Sequence, residues 1–151
     1  MPASLLPDML TQKLLALRRQ TPVLRRNRFL TGATFGGEGG AKDAAWFAPD
    51  GNEMTPAHWE DTQTRSFALL LDGRAPVSAV DRPAHDTSAL VIFNGWQDAV
   101  PFKLPPAPGE PWTLAMETNN DANGSSNETF EEYLATGRSV LVFLSAPRAS
   151  E

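Results

Sequence analysis

At 151 residues the chain fits one domain with enough interior to fold alone, and 41% hydrophobic and 21% charged residues are ordinary for a globular protein. A net charge of -5 gives no electrostatic reason to approach nucleic acid or an anionic membrane surface. The absence of cysteine excludes a disulfide framework, a thiolate nucleophile and a zinc-thiolate site.

No run approaches the roughly 18 apolar residues of a membrane-spanning helix. The opening residues Met1 to Asp8 lack the basic stretch and long apolar core of a signal peptide, so a cytoplasmic location is expected. Two sequons, at Asn123 and Asn127, then read as loop.

From Leu5 to Arg19 the residues Leu6, Met9, Leu10, Leu14 and Leu17 recur at helical spacing and give one apolar face. Asp8 in the first turn and Arg18-Arg19 in the last suit the helix dipole. Thr21-Pro22 ends the helix, because proline disfavours the α conformation in the residue before it. A second short turn follows through Val23 to Arg26.

Thereafter short apolar runs alternate with turn residues. Strands are predicted near Ala44–Ala48, Ser66–Leu71, Ala89–Asn94, Val100–Leu104, Trp112–Glu117 and Ser139–Ser145, with a weaker one near Thr129–Leu134. The separators are Pro49-Asp50-Gly51-Asn52, Asp72-Gly73, Asn94-Gly95, Pro105 to Gly109 and Asn119 to Asn127. Thr55-Pro56-Ala57-His58-Trp59 fits a single helical turn with Thr55 as N-cap and Pro56 at its first position. Gly36–Gly40 and Arg74–Asp86 read as surface loops. The fold class is therefore mainly β, an antiparallel β-sandwich preceded by one N-terminal α-helix.

Candidate chemistry is sparse. Asp43, Asp50, Glu53, Glu60 and Asp61 cluster in sequence, and glycoside hydrolysis needs two carboxyls about 5–9 Å apart. The competing reading makes Asp50 a turn former and leaves the others solvated or capping the short helix. His58 and His85 are the only histidines, too few for a histidine metal site, and no strained nucleophile elbow occurs. Gly36-Gly37-Glu38-Gly39-Gly40 lacks the lysine and Ser/Thr of a phosphate loop. Arg18, Arg19, Arg25, Arg26 and Arg28 read as a solvated helix end rather than a nucleic-acid patch.

The tryptophans remain. Trp46 sits within a strand and is expected in the core, and Trp59 is expected to fold back over the sheet. Trp96 and Trp112, beside turn residues, are expected to be partly exposed and are the candidates for stacking on sugar rings.

Taken in order, several segments carry a resemblance. They are Leu14 to Arg19 leading into Pro22 to Arg26, then Phe29-Leu30-Thr31-Gly32, and the block Lys42 to Asp61 with its Trp46-Phe47-Ala48-Pro49-Asp50-Gly51 core. Phe67 to Gly73, Leu90 to Asn94, Val100 to Pro105 and Gly137 to Val142 follow. This series resembles the region after the catalytic barrel in bacterial glycogen debranching enzymes of the isoamylase type, within the α-amylase family.

The resemblance implies that residues 1–28 correspond to the last barrel helix and residues 29–151 to the C-terminal β-sandwich. The family's catalytic carboxylates lie on barrel strands that precede this region, and a barrel needs about 250 residues. The implied role is non-catalytic: no enzyme by itself, no cofactor, no metal, and a sandwich that stabilises a catalytic barrel as its partner. The alternative is a stand-alone α-glucan-binding module using Trp96 and Trp112. Without a barrel, the Leu6/Leu10/Leu14/Leu17 face is expected to mediate a homodimer.

Overall fold

The computed structural model describes residues 5–26, 29–35, 41–75, 86–119 and 128–149, with side chains described from Met9 onward. Outside the described residues lie Arg28, Gly36–Gly40, the 76–85 stretch with His85, Asn123 and Asn127; so does the side chain of Leu6.

The helical spacing of the first residues forms α1, Leu5–Gln20, with Arg18 and Arg19 in its last turn. Thr21 closes it by donating its amide to the Leu17 carbonyl at 3.0 Å, and Pro22 then opens a 3-10 turn over Pro22–Arg25. The strands are β1 (Ala44–Phe47), β2 (Ser66–Leu71), β3 (Ser88–Asn94), β4 (Val100–Lys103), β5 (Thr113–Glu117), β6 (Glu132–Ala135) and β7 (Ser139–Ser145). The helical turn α2, Pro56–Glu60, has Thr55 as its N-cap. His58 Nδ1 accepts the Thr55 amide at 2.9 Å, so a histidine takes the place usually held by Glu or Gln in a capping box.

The weak strand expected over 129–134 lies later. Thr129 makes only an isolated bridge to Thr113, and the Phe130 amide donates to the Trp112 carbonyl at 3.0 Å. That bond holds the chain across the end of the sandwich before β6 begins.

Five strands form an antiparallel sheet in the order β1-β2-β3-β7-β5, and β4 pairs with β6 in a second, two-stranded sheet. Because side chains alternate along a strand, Ala68 and Leu70, Leu90 and Ile92, and Leu141 and Phe143 line one face of the large sheet. Phe102 of β4, Ala135 of β6 and Trp112 cover that face, and the nine residues form one buried cluster. Truncating a ring such as Phe102, 1% exposed, would cost about 3–5 kcal/mol.

A β-bulge between Leu114 and Met116 breaks the alternation of β5. Met116 then opposes Val142, and Glu117 opposes Leu141 on the inner face. The bulge thus brings the Glu117 carboxylate to the Tyr133 hydroxyl, which donates to it at 2.9 Å, and to Thr136 at 3.3 Å.

A polar residue pins the two sheets together. Asn94, 2% exposed at the end of β3, accepts the Ser66 hydroxyl at 2.8 Å and the Trp96 amide at 3.0 Å. Its Nδ2 reaches the carbonyls of Ala135 and Thr136 at 3.2 and 2.9 Å, and that of Asp98 at 3.1 Å. The turn from β6 to β7 lies tight against the same loop: a Cβ on Gly137 would fall 2.1 Å from the Gln97 carbonyl oxygen.

The N-terminal segment joins the opposite, outer face. Val23 is buried with Leu71 and Ala89. Arg26, read from sequence as part of a solvated cluster, instead donates to the carbonyls of Ala75 and Gly73 at 2.6 and 3.0 Å and to Asp86 at 3.2 Å. Its side chain is 5% exposed, because the β2–β3 connection offers carbonyls that a guanidinium can satisfy together.

Two outcomes test these assignments. Asn94→Ala strips several buried groups of their partner and should destabilise the protein by about 3 kcal/mol in denaturant unfolding. Burial, aided by the Glu117 carboxylate, pushes Tyr133 up to about 12 from 10.0. A tyrosine held protonated in the fold contributes stability that is complete below pH about 10 and is lost as pH rises toward 12. Tyr133→Phe should therefore flatten the alkaline decline of the unfolding midpoint, and an unchanged decline would refute the assignment.

Candidate functional site

The carboxylates singled out by sequence are dispersed into local structural roles. Asp43, expected to be solvated or to cap the short helix, is 4% exposed. It accepts the backbone amides of Thr31, Gly32 and Ala44 at 3.1, 2.8 and 2.8 Å, which anchors the segment entering β1. Asp50 accepts the Asn52 amide at 2.9 Å within the turn, and that bond holds its carboxyl below the ordinary value. Asp61 accepts the Gln63 amide at 2.9 Å, Glu53 pairs with Lys42, and Glu60 is exposed. Among the described residues, no group of three or more His, Cys, Asp or Glu side chains is placed to hold a metal ion.

The tryptophans are rearranged relative to expectation. Trp112, expected to be partly exposed, is 2% exposed, and its indole N–H donates to the Pro105 carbonyl at 2.7 Å. With its ring in the main core cluster, it has no open face on which a sugar could stack. The residue precedes β5 by one position, and the Pro105–Gly109 segment folds over it.

Trp96 is half-buried. The Arg65 guanidinium lies 5.2 Å from its ring centroid and its indole N–H donates to Asp98 at 3.3 Å. Its backbone is fixed from both sides, by Asn94 and by the Arg138 amide, which donates to the Trp96 carbonyl at 2.8 Å. Beside it runs an open cleft of about 370 Å³ lined by Met54, His58, Asp61, Gln63, Arg65 and Trp96 among others. Its lining is mostly apolar, with Asp61, Gln63 and Arg65 among the polar members.

Trp46, expected in the core, is 37% exposed. Ala45 is buried in β1 and Phe47 packs against the inner cluster, so alternation turns Trp46 to the outer face. There its ring meets Trp59 edge-on, with centroids 5.5 Å apart and planes at 84°, and meets Phe67 at 5.5 Å. Trp59 does pack over the sheet, at 6.1 Å from Phe67, yet remains 51% exposed. Phe67 in turn leans on Phe93 at 5.3 Å. The period-two pattern of Ala45-Trp46-Phe47 could have flagged this ridge, since only one parity can face inward.

Further exposed apolar side chains lie upstream: Met9, Leu14 and Leu15 on α1, then Phe29 and Leu30. Together with Trp46 and Trp59 they make seven of the eight large exposed hydrophobics among the described residues; Leu134 is the other. No helix among the described residues is long and apolar enough to cross a membrane.

Comparison with known proteins places this architecture. A family model described as "Isoamylase, C-terminal" matches residues 43–144, a span holding β1 through β6 and all but the last residue of β7. The "Glycogen operon protein GlgX homolog" of Mycobacterium tuberculosis (strain ATCC 25618 / H37Rv) is 31% identical over 140 residues, which cover 87% of this chain and 19% of that protein. The protein of the same name from Mycobacterium bovis gives the same figures. An "Isoamylase" from a Flavobacterium species is 31% identical over 110 residues, 72% of this chain and 13% of its own length. The chain thus spans about a fifth or less of the curated relatives it matches. With the family's match extending over all the strands that build the sandwich, the chain belongs to the isoamylase C-terminal family.

Proposed function

We propose that this chain is the non-catalytic C-terminal portion of an isoamylase-type glycogen debranching enzyme, with residues 29–151 forming the sandwich and residues 1–28 the last helix of a catalytic barrel. The sandwich packs on that barrel and stabilises it, and the barrel supplies the glycosidic chemistry on α-glucan. The observation that carries this reading is the helix α1, whose Met9, Leu14 and Leu15 stay 38%, 41% and 53% exposed while the rest of the molecule has a closed core. Large apolar side chains grouped on one helix without a covering surface mark an interface. The share of the relatives left uncovered is ample for a barrel.

In this reading the pure chain releases no reducing sugar from glycogen, and measurable release would overturn it. When the chain is alone, the Leu6/Leu10/Leu14/Leu17 face, on which Leu14 stays open, pairs with a second copy. Sedimentation should find a dimer that Leu14→Gln/Leu15→Gln converts to monomer without unfolding the sandwich.

A second reading, an α-glucan-binding module, rests on the cleft beside Trp96. Titrating maltoheptaose while following tryptophan fluorescence separates the two. The structural reading expects a flat response from well-folded protein. The binding reading requires a saturable change that Trp96→Ala abolishes.

A further inference from the structure

We propose that the ridge of Trp46, Trp59 and Phe67 on the outer face of the five-stranded sheet is a docking seat for the same catalytic portion, received against apolar side chains of that portion. The inference rests on the reading given above and adds, to the contact made by the helix, a second one on the sheet.

Three observations support it. First, the ridge is built and held in place: Trp46 lies in β1 opposite Leu69, Trp59 sits on the capped turn α2, and Phe67 and Phe93 back them across β2 and β3. Two tryptophans left 37% and 51% exposed on so fixed a base are the kind of large, rigid side chains on which interfaces concentrate their affinity.

Second, the ridge shares its sheet face with the approach of the N-terminal segment. Val23 packs on Leu71 and Ala89 of that outer face, and Ala44, Leu69 and Leu144 join the same patch. Trp46 follows Ala44 by two residues, so its side chain extends the patch on the same parity. The chain therefore reaches the sandwich across the face that carries the ridge.

Third, the ring geometry fits side-chain packing better than a sugar platform. Trp46 and Trp59 meet edge to face at 84°, so they offer a notch between rings rather than coplanar faces on which successive glucose units could lie. The indole hydrogen bonds found among the described residues belong to Trp96 and Trp112, not to these two.

The experiment replaces the matched C-terminal portion of the Mycobacterium tuberculosis relative with this chain and compares the chimera with the isolated chain. A single cooperative thermal transition of the chimera verifies its fold. Trp46→Ser/Trp59→Ser should lower the thermal midpoint of the chimera by several degrees more than that of the isolated chain, which loses only the ring contacts among Trp46, Trp59 and Phe67. Amide exchange over β1 and α2 should also be slower in the unsubstituted chimera than in the isolated chain, a readout independent of the variants.

If the chimera tolerates the tryptophan changes and shows no added protection, but loses stability with Leu14→Gln/Leu15→Gln, the ridge is not a seat and the domain reading stands. If neither pair matters, both fall. Two further results overturn the proposal. One is a dimer of the isolated chain dispersed by Trp59→Ser, which would give the ridge to a second copy. The other is a saturable maltoheptaose response lost in Trp59→Ser, which would make it a sugar site.

Discussion

A small two-stranded sheet has to stay closed over one face of a five-stranded sheet, and the rest of the molecule depends on that closure. Apolar burial supplies the drive: Phe102, Trp112 and Ala135 lie against Leu90, Ile92, Leu141 and Phe143. Burial is non-directional, however, and leaves the relative placement of the sheets loosely set. Asn94 supplies the direction, spending both side-chain functions on partners from β2, the loop at 96–98 and the end of β6. A buried amide tolerates few other arrangements, because any shift leaves a carbonyl or an N–H unpaired in a medium of low polarity.

The closure is one-sided. On the inner face the large sheet is covered and most side chains there are fully buried. On the outer face, among the described residues, the 3-10 turn bears on it through Val23, with Arg26 fastening the segment to the carbonyls of the β2–β3 connection, and Trp59 of α2 packs at the Phe67 corner. Trp46, Phe67 and Phe93 on the remainder of that face keep part of their surface open. This asymmetry gives the functional reading its physical content. The domain has satisfied its own core, and its unsatisfied apolar surface gathers on α1, the segment after it and one corner of the sheet.

Much of this was legible in the sequence. The end of α1 at Thr21-Pro22 and the Thr55 cap of α2 follow from local chemistry, and β2 and β7 begin and end where their apolar runs do. The family resemblance, carried by the order of several short segments, agrees with the match over residues 43–144. The candidate sites were much less legible. Among the tryptophans, Trp46 and Trp112 exchanged their expected environments. A strand placement names the two faces but not which is covered, and a turn placement does not reveal that a proline-rich segment will close over the ring. Arg26 was misjudged for the same reason, since arginine beside arginine reads as a solvated end, and the role of Asn94 beyond ending β3 left no local sign. Each is instead held by carbonyls from chain segments more than forty residues away.

By itself the sequence determined the helix, the strands, their turns and the family, because propensity, capping and period-two patterning act over a few residues. Tertiary structure alone decided which face of the large sheet is closed, that Glu117 turns inward at a bulge, and that Trp112 is core while Trp46 and Trp59 stand open. Those outcomes depend on which strands become neighbours, and neighbours distant in sequence leave no mark in local periodicity.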